Sequence, residues 1–133
     1  MSITRLILEA ESDSNRADEI LSYNVDFDQR FDDRTGKPIG RPVLTSMTIR
    51  ITRESDSDAP FYVKWQLSPA QTETLDICFY DHLQLSRTIH IEDAYLVSYN
   101  QDCSDPGRIE ETLIISPQKV TMEGEIYDRT DYQ

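Results

Sequence analysis

The chain has 133 residues and a formal net charge of −12, from 25 Asp and Glu against 13 Lys and Arg, with 38% hydrophobic and 29% charged residues. That length suits one domain, spanning residues 1–133, that buries roughly two-thirds of the surface its unfolded chain exposes, and Ile, Leu, Val and Tyr are too frequent for a disordered polymer. The acidic excess disfavours nucleic acid and anionic membranes as partners, because their phosphates would be repelled by most of this surface.

Residues 3–10, "ITRLILEA", read as a first strand. The opening run is short, is interrupted by Arg5 and lacks a small-residue cleavage site, so no secretory signal is expected. No stretch is long enough to span a bilayer. The expectation is synthesis in the cytoplasm and, if the protein leaves, export by a route that reads something other than a signal peptide. "ESDSNRAD" at 11–18 reads as an acidic loop. Residues 19–31 then alternate, with Leu21, Tyr23, Val25, Phe27 and Phe31 facing inward and Ser22, Asn24, Asp26, Asp28 and Arg30 outward.

A turn-rich segment, "DDRTGKPIGRP" at 32–42, precedes the clearest strand, 43–53, where Val43, Thr45, Met47, Ile49 and Ile51 share a face. After a loop at 54–60, "SDAPFYVKWQLSP" carries the best helix signal: Ser57 as cap, Pro60 in the first turn, Phe61 and Trp65 one turn apart, and Pro69 as stop. Its Phe, Tyr and Val suit a strand equally well. Further strands follow at 72–80 with Leu75, Ile77 and Phe79 inward, at 87–100 with a bend near Glu92 and Asp93, at 108–116 with Leu113 and Ile115 inward, and at 119–127 with Val120, Met122 and Ile126 inward. A loop, "NQDCSDPGR", is expected at 100–108. Seven or so strands with polar outer faces imply a sandwich or barrel.

Motifs that carry chemistry are scarce. "TGKP" lacks the earlier glycine and the following Ser or Thr of a phosphate loop, since position 31 is Phe and position 38 is Pro. Asp26, Asp28, Asp32 and Asp33 lack the Gly and distal Glu of a calcium loop, so a solvated face explains them better. His82 and His90 have no partner at zinc-ligand spacing. Cys78 and Cys103 read as free thiols, Cys78 as an outward strand residue between Asp76 and Tyr80. No nucleophile elbow is present, and Tyr95, Tyr99, Phe61 and Trp65 read as core aromatics. No catalytic residue, cofactor or metal is therefore expected.

The unusual feature is charge. From Arg34 to Arg53 the chain has five cations (Arg34, Lys37, Arg41, Arg50 and Arg53) and no carboxylate, while all 25 acids lie elsewhere. A basic segment on an acidic body suits head-to-tail contact with another copy, the geometry that produces rings or filaments.

The stretch "LSYNVDFDQRFDDRTGKPIGRPVLTSMTIRI", followed in order by "DAPFYVKWQL", "TLDICFYD", "IHIEDAYLVSYNQDCS" and "TLIISPQKVTMEGEIY", resembles the haemolysin-coregulated protein (Hcp, TssD) family, the tube subunit of bacterial type VI secretion, in its short Bacteroidetes form. The likeness runs over nearly the whole chain. It implies a mainly β fold: a small barrel of two packed antiparallel sheets with one short flanking helix. It further implies a six-membered ring that stacks into a hollow tube, works with a sheath and spike protein, and is expelled with effectors without a signal peptide. On this reading Arg34, Thr35, Gly36, Lys37, Pro38, Ile39, Gly40, Arg41 and Pro42 form an arm that docks on an acidic neighbouring subunit or ring. The other readings are a monomeric β-barrel adaptor or ligand carrier, and a small hydrolase or metal enzyme whose site is assembled from distant residues.

Overall fold

In the computed structural model, residues 2–54 and 60–129 are described. Eight strands and one helix follow in order: β1 (Arg5–Ala10), β2 (Asp13–Asp28), β3 (Val43–Glu54), α1 (Phe61–Gln66), β4 (Glu73–Asp81), β5 (Gln84–Asp105), β6 (Arg108–Ser116), β7 (Lys119–Met122) and β8 (Glu125–Asp128). All pairings are antiparallel, in the order β4-β1-β2-β3-β6-β5-β7-β8, and a further β4–β5 pairing closes the sheet into a barrel.

Two long strands make the corners. Residues 13–19 of β2 pair with β1, and residues 19–28 pair with β3. β5 likewise leaves β4 and β7 for β6 at Asp93, whose φ of 53° gives the bend expected near Glu92 and Asp93. The result is the expected barrel of two packed layers: β2–β3–β6–β5 in one, and β2–β1–β4–β5 with the β7–β8 hairpin in the other.

Period-two alternation fills the space between the layers. Leu8, Met47, Ile49, Ile51, Leu75, Ile77, Ile89, Ile91, Leu113, Ile115 and Val120 are all buried there. Helix α1 closes over this core with Tyr62 and Trp65, packs against β5, and donates from Trp65 Nε1 to the Gln71 carbonyl at 3.1 Å. Pro60 occupies its N-cap position; Ser57 lies outside the described residues.

Several local expectations are corrected by bulges and turns. Most of the acidic stretch 11–18 is strand, since β2 begins at Asp13 after a two-residue turn. A bulge between Ile20 and Ser22 turns Ile20 inward and leaves Leu21 exposed. A second bulge, between Asp26 and Phe27, accompanies the exposure of Phe27 and Val43 and the burial of Leu44. Phe31 lies beyond the strand, bridged to Pro38 and exposed. Each bulge adds one residue and so reverses the facing of the residues beyond it.

β5 runs on to Asp105, so most of the expected 100–108 loop is strand and only Pro106 and Gly107 turn. Residues 119–127 form a hairpin whose turn residues, Glu123 and Gly124, have φ of 52° and 81°. That conformation suits Gly and turns Ile126 outward while Tyr127 is buried. Tyr95 is surface-exposed rather than core.

Candidate assembly surfaces

The basic segment divides in two. Arg50 and Arg53 find carboxylates inside the chain: Arg50 Nη2 lies 3.4 Å from Glu110, and Arg53 Nε lies 2.6 Å from Glu111. Arg41 is also engaged within the chain. Arg34 and Lys37 form no ion pair among the described residues and sit on an exposed arm.

The arm is pre-shaped by its own hydrogen bonds. Asp32 Oδ1 accepts from the amides of Arg34 (2.8 Å) and Thr35 (3.2 Å), and the Asp32 carbonyl accepts from Gly36 N–H at 2.8 Å. Asp32 N–H donates to the Lys37 carbonyl and Ile39 N–H to the Arg30 carbonyl, which makes the segment a narrow hairpin. Gly36 and Gly40, with φ of 74° and 78°, supply left-handed turns that a side chain would strain. Arg34, Thr35, Gly36, Lys37, Pro38, Ile39, Gly40, Arg41 and Pro42 are all exposed, and Phe31 and Ile39 add apolar surface. A preformed arm loses less conformational entropy on docking than a floppy one.

A second feature was not legible in the sequence. Among the described residues, residues 20–28 of β2 pair only with β3, and residues 95–105 of β5 pair only with β6. The layer β2–β3–β6–β5 therefore has two open edges, one on each side. Its outward face is mostly polar, with Ser22, Arg50, Thr112 and Asn100 in one cross-strand row and Asn24, Thr48, Ile114 and Ser98 in the next.

A buried polar network stiffens that layer and the helix beside it. Glu111, 1% exposed, accepts from Arg53 and from the Tyr99 hydroxyl, the latter at 2.5 Å. Nearby, Tyr62 donates to Asp18 at 2.6 Å, and Arg16 bonds the same carboxylate at 2.8 Å while lying over the Phe61 and Tyr62 rings. Burial, reinforced by Asp18, raises the Tyr62 pKa well above its usual value, and burial with the Glu111 bond pushes Tyr99 up to about 12. A raised tyrosine pKa adds stability that is fully present below the unfolded value near 10 and is lost as pH climbs through the folded value. Stability should thus fall between about pH 10 and pH 12, with these two tyrosines ionising only as the fold opens. Ultraviolet titration of tyrosinate alongside circular dichroism checks this; early ionisation of all tyrosines in an intact fold would contradict it.

Cys78 lies on the face of β4 opposite Ile77 and Phe79 but is buried rather than solvent-facing. Burial, with Glu9 and Asp76 beside it, pushes its pKa up to about 12, which keeps the thiol protonated and unreactive. Both cysteines are free. His90 pairs with Asp76 at 2.6 Å on the outer face of β5, and His82 occupies the β4–β5 turn. Among the described residues no cluster is arranged to hold a metal, and no helix is long and apolar enough to cross a membrane.

The family model for hemolysin coregulated protein Hcp (TssD) matches residues 3–130. The chain belongs to the Hcp (TssD) family. Its fold is similar to that of Hcp1 from Flavobacterium johnsoniae, with a TM-score of 0.76 and 19% identity over 94% of this chain and 99% of that one. Hcp1 from E. coli EAEC 042 is similar at a TM-score of 0.65 and 19% identity, covering 96% and 97%. The fold also resembles a chain of the anti-feeding prophage baseplate, at a TM-score of 0.53 and 13% identity over 96% of both. No curated protein sequence matches the chain. As an Hcp, the protein is a tube subunit of type VI secretion, and the adaptor reading is disfavoured.

Proposed function

We propose that this Hcp assembles as a six-membered ring through the two open edges of the β2–β3–β6–β5 layer, and that the rings stack through the 34–42 arm into a hollow tube. The open edges carry the reading. An exposed edge is a template for another strand, and here the β2 edge of one copy is complementary to the β5 edge of the next. The layer has four strands of alternating direction, so head-to-tail joining continues the antiparallel order without a break.

Six such layers give about 24 strands, a circumference of roughly 115 Å and a radius of roughly 18 Å at the usual strand spacing. The second layer, about 10 Å away, would be crowded onto less than half that circumference if it faced inward. It must therefore lie outside, and the polar face with Ser22, Asn24, Thr48, Thr112, Ser98 and Asn100 lines the lumen. A wet lumen of hydroxyls and amides, with the Arg50–Glu110 ion pair among them, suits passage of effector proteins, with the sheath outside, the spike at the tip and export without a signal peptide. Residues 1–133 act as one unit in this scheme, with no catalytic residue, cofactor, nucleic acid or membrane insertion required.

Light scattering after gel filtration tests the ring. A mass near six times 15.4 kDa is expected; a one-subunit mass at every salt concentration would restore the monomeric adaptor. Because each copy carries −12, stacking of rings should strengthen as salt rises, until the arm contacts are themselves screened. A steady loss of stacking from the lowest salt upward would contradict that balance.

A further inference from the structure

We propose that neighbouring subunits join through two five-residue windows, residues 22–26 of β2 and residues 98–102 of β5, paired antiparallel with Asn24 opposite Asn100 of the next copy. The proposal rests on the ring reading above and specifies its contact.

Bulges define the windows. The β2 ladder is irregular between Ile20 and Ser22 and again between Asp26 and Phe27. The β5 ladder is irregular between Leu96 and Ser98 and again between Asp102 and Asp105. A bulge twists its strand and breaks the regular spacing of hydrogen-bonding groups, so an incoming strand can form an uninterrupted ladder only between bulges. Both open edges offer such a stretch, and the two are equal in length. The bulges at either end also stop the pairing from spreading, which limits uncontrolled edge-to-edge aggregation.

Aligning the windows centre to centre fixes the register. Asn24 then meets Asn100, Ser22 meets Asp102 and Asp26 meets Ser98, so no like charges are opposed. Val25 meets Tyr99 and Tyr23 meets Gln101 on the other face. Tyr23, Val25 and Tyr99 pack against the core but are only partly buried in one subunit, and the neighbour completes their cover. A slip of one residue would set polar lumen residues against this apolar face. A slip of two preserves the faces but leaves only three residues of each window paired.

Disulfide trapping tests the register, because directly opposed strand residues have Cα separations of about 4.5–5.5 Å, within disulfide reach. Cys103 is exposed and one residue past the β5 window, so the background carries Cys103→Ser. With Asn24→Cys and Asn100→Cys together, mild oxidation should give a reducible covalent ladder of up to six subunits, and neither single variant should do so. Pairing Asn24→Cys with Ser98→Cys or with Asp102→Cys should cross-link at least about tenfold more slowly. A ring mass that persists without the Asn24–Asn100 ladder, or with faster trapping at a shifted pair, overturns this register and leaves the ring standing. A one-subunit mass with no ladder in any variant overturns the ring, and the register with it.

Discussion

Arg53→Ala should lower the unfolding free energy by about 3–5 kcal/mol, the usual cost of stripping one partner from a buried ion pair. Glu111 is 1% exposed and takes two contacts from Arg53, at 2.6 and 3.4 Å. Removing the guanidinium leaves a buried carboxylate with only the Tyr99 and residual polar contacts to offset its desolvation. The pair itself is a weaker stabiliser than that loss suggests, because both ions were desolvated to form it. An Arg53→Met, Glu111→Leu double variant should therefore recover most of the deficit. Urea unfolding at a protein concentration low enough to hold the subunits apart separates these effects from assembly. A loss below about 1 kcal/mol for Arg53→Ala would mean that water reaches Glu111 and that the network is not a structural element.

Reversing the arm charges, Arg34→Glu with Lys37→Glu, should abolish stacking of rings while leaving each ring and each fold intact. Both side chains are exposed, and the hairpin that carries them is held by backbone bonds and by Asp32, so the fold loses nothing. If each arm contributes about 1 kcal/mol at a ring junction, six arms together contribute about 6 kcal/mol, or on the order of 10⁴-fold in association. Arg41, the third cation of the arm, is a less clean probe because it is already engaged within the chain. Sedimentation and electron microscopy of the variant would show single rings in place of tubes. Tubes of normal length would reduce the arm to a solubilising loop.

The arm and the edges differ in how visible they are from residues alone. Gly36, Gly40, Pro38 and Pro42 mark the arm as a turn-rich segment because their backbone restrictions are local. Its cation excess can be counted without a structure. Which of those cations remain available cannot: Arg53 and Glu111 are 58 residues apart and meet only when β3 pairs with β6. The open edges are invisible for a related reason, since an edge is defined by the absence of a neighbour, and strand neighbours are set by the whole topology.

The amino-acid sequence by itself determined the strands and most of their inward faces, because side chains alternate with a period of two and the core admits one face only. Met47, Ile49, Ile51, Leu75, Ile77, Leu113 and Ile115 are buried as that alternation requires. The ordered segments also carried the family resemblance. Tertiary structure alone decided where the alternation breaks, as at Ile20, Leu44 and Ile126, because a bulge or hairpin turn answers to the register and twist of the neighbouring strand. It alone decided that β4 closes on β5 and that, among the described residues, β2 and β5 each keep one free edge. Those are choices among long-range pairings of similar local propensity, and only the shared core, with Trp65 and Tyr62 sealing it, selects between them.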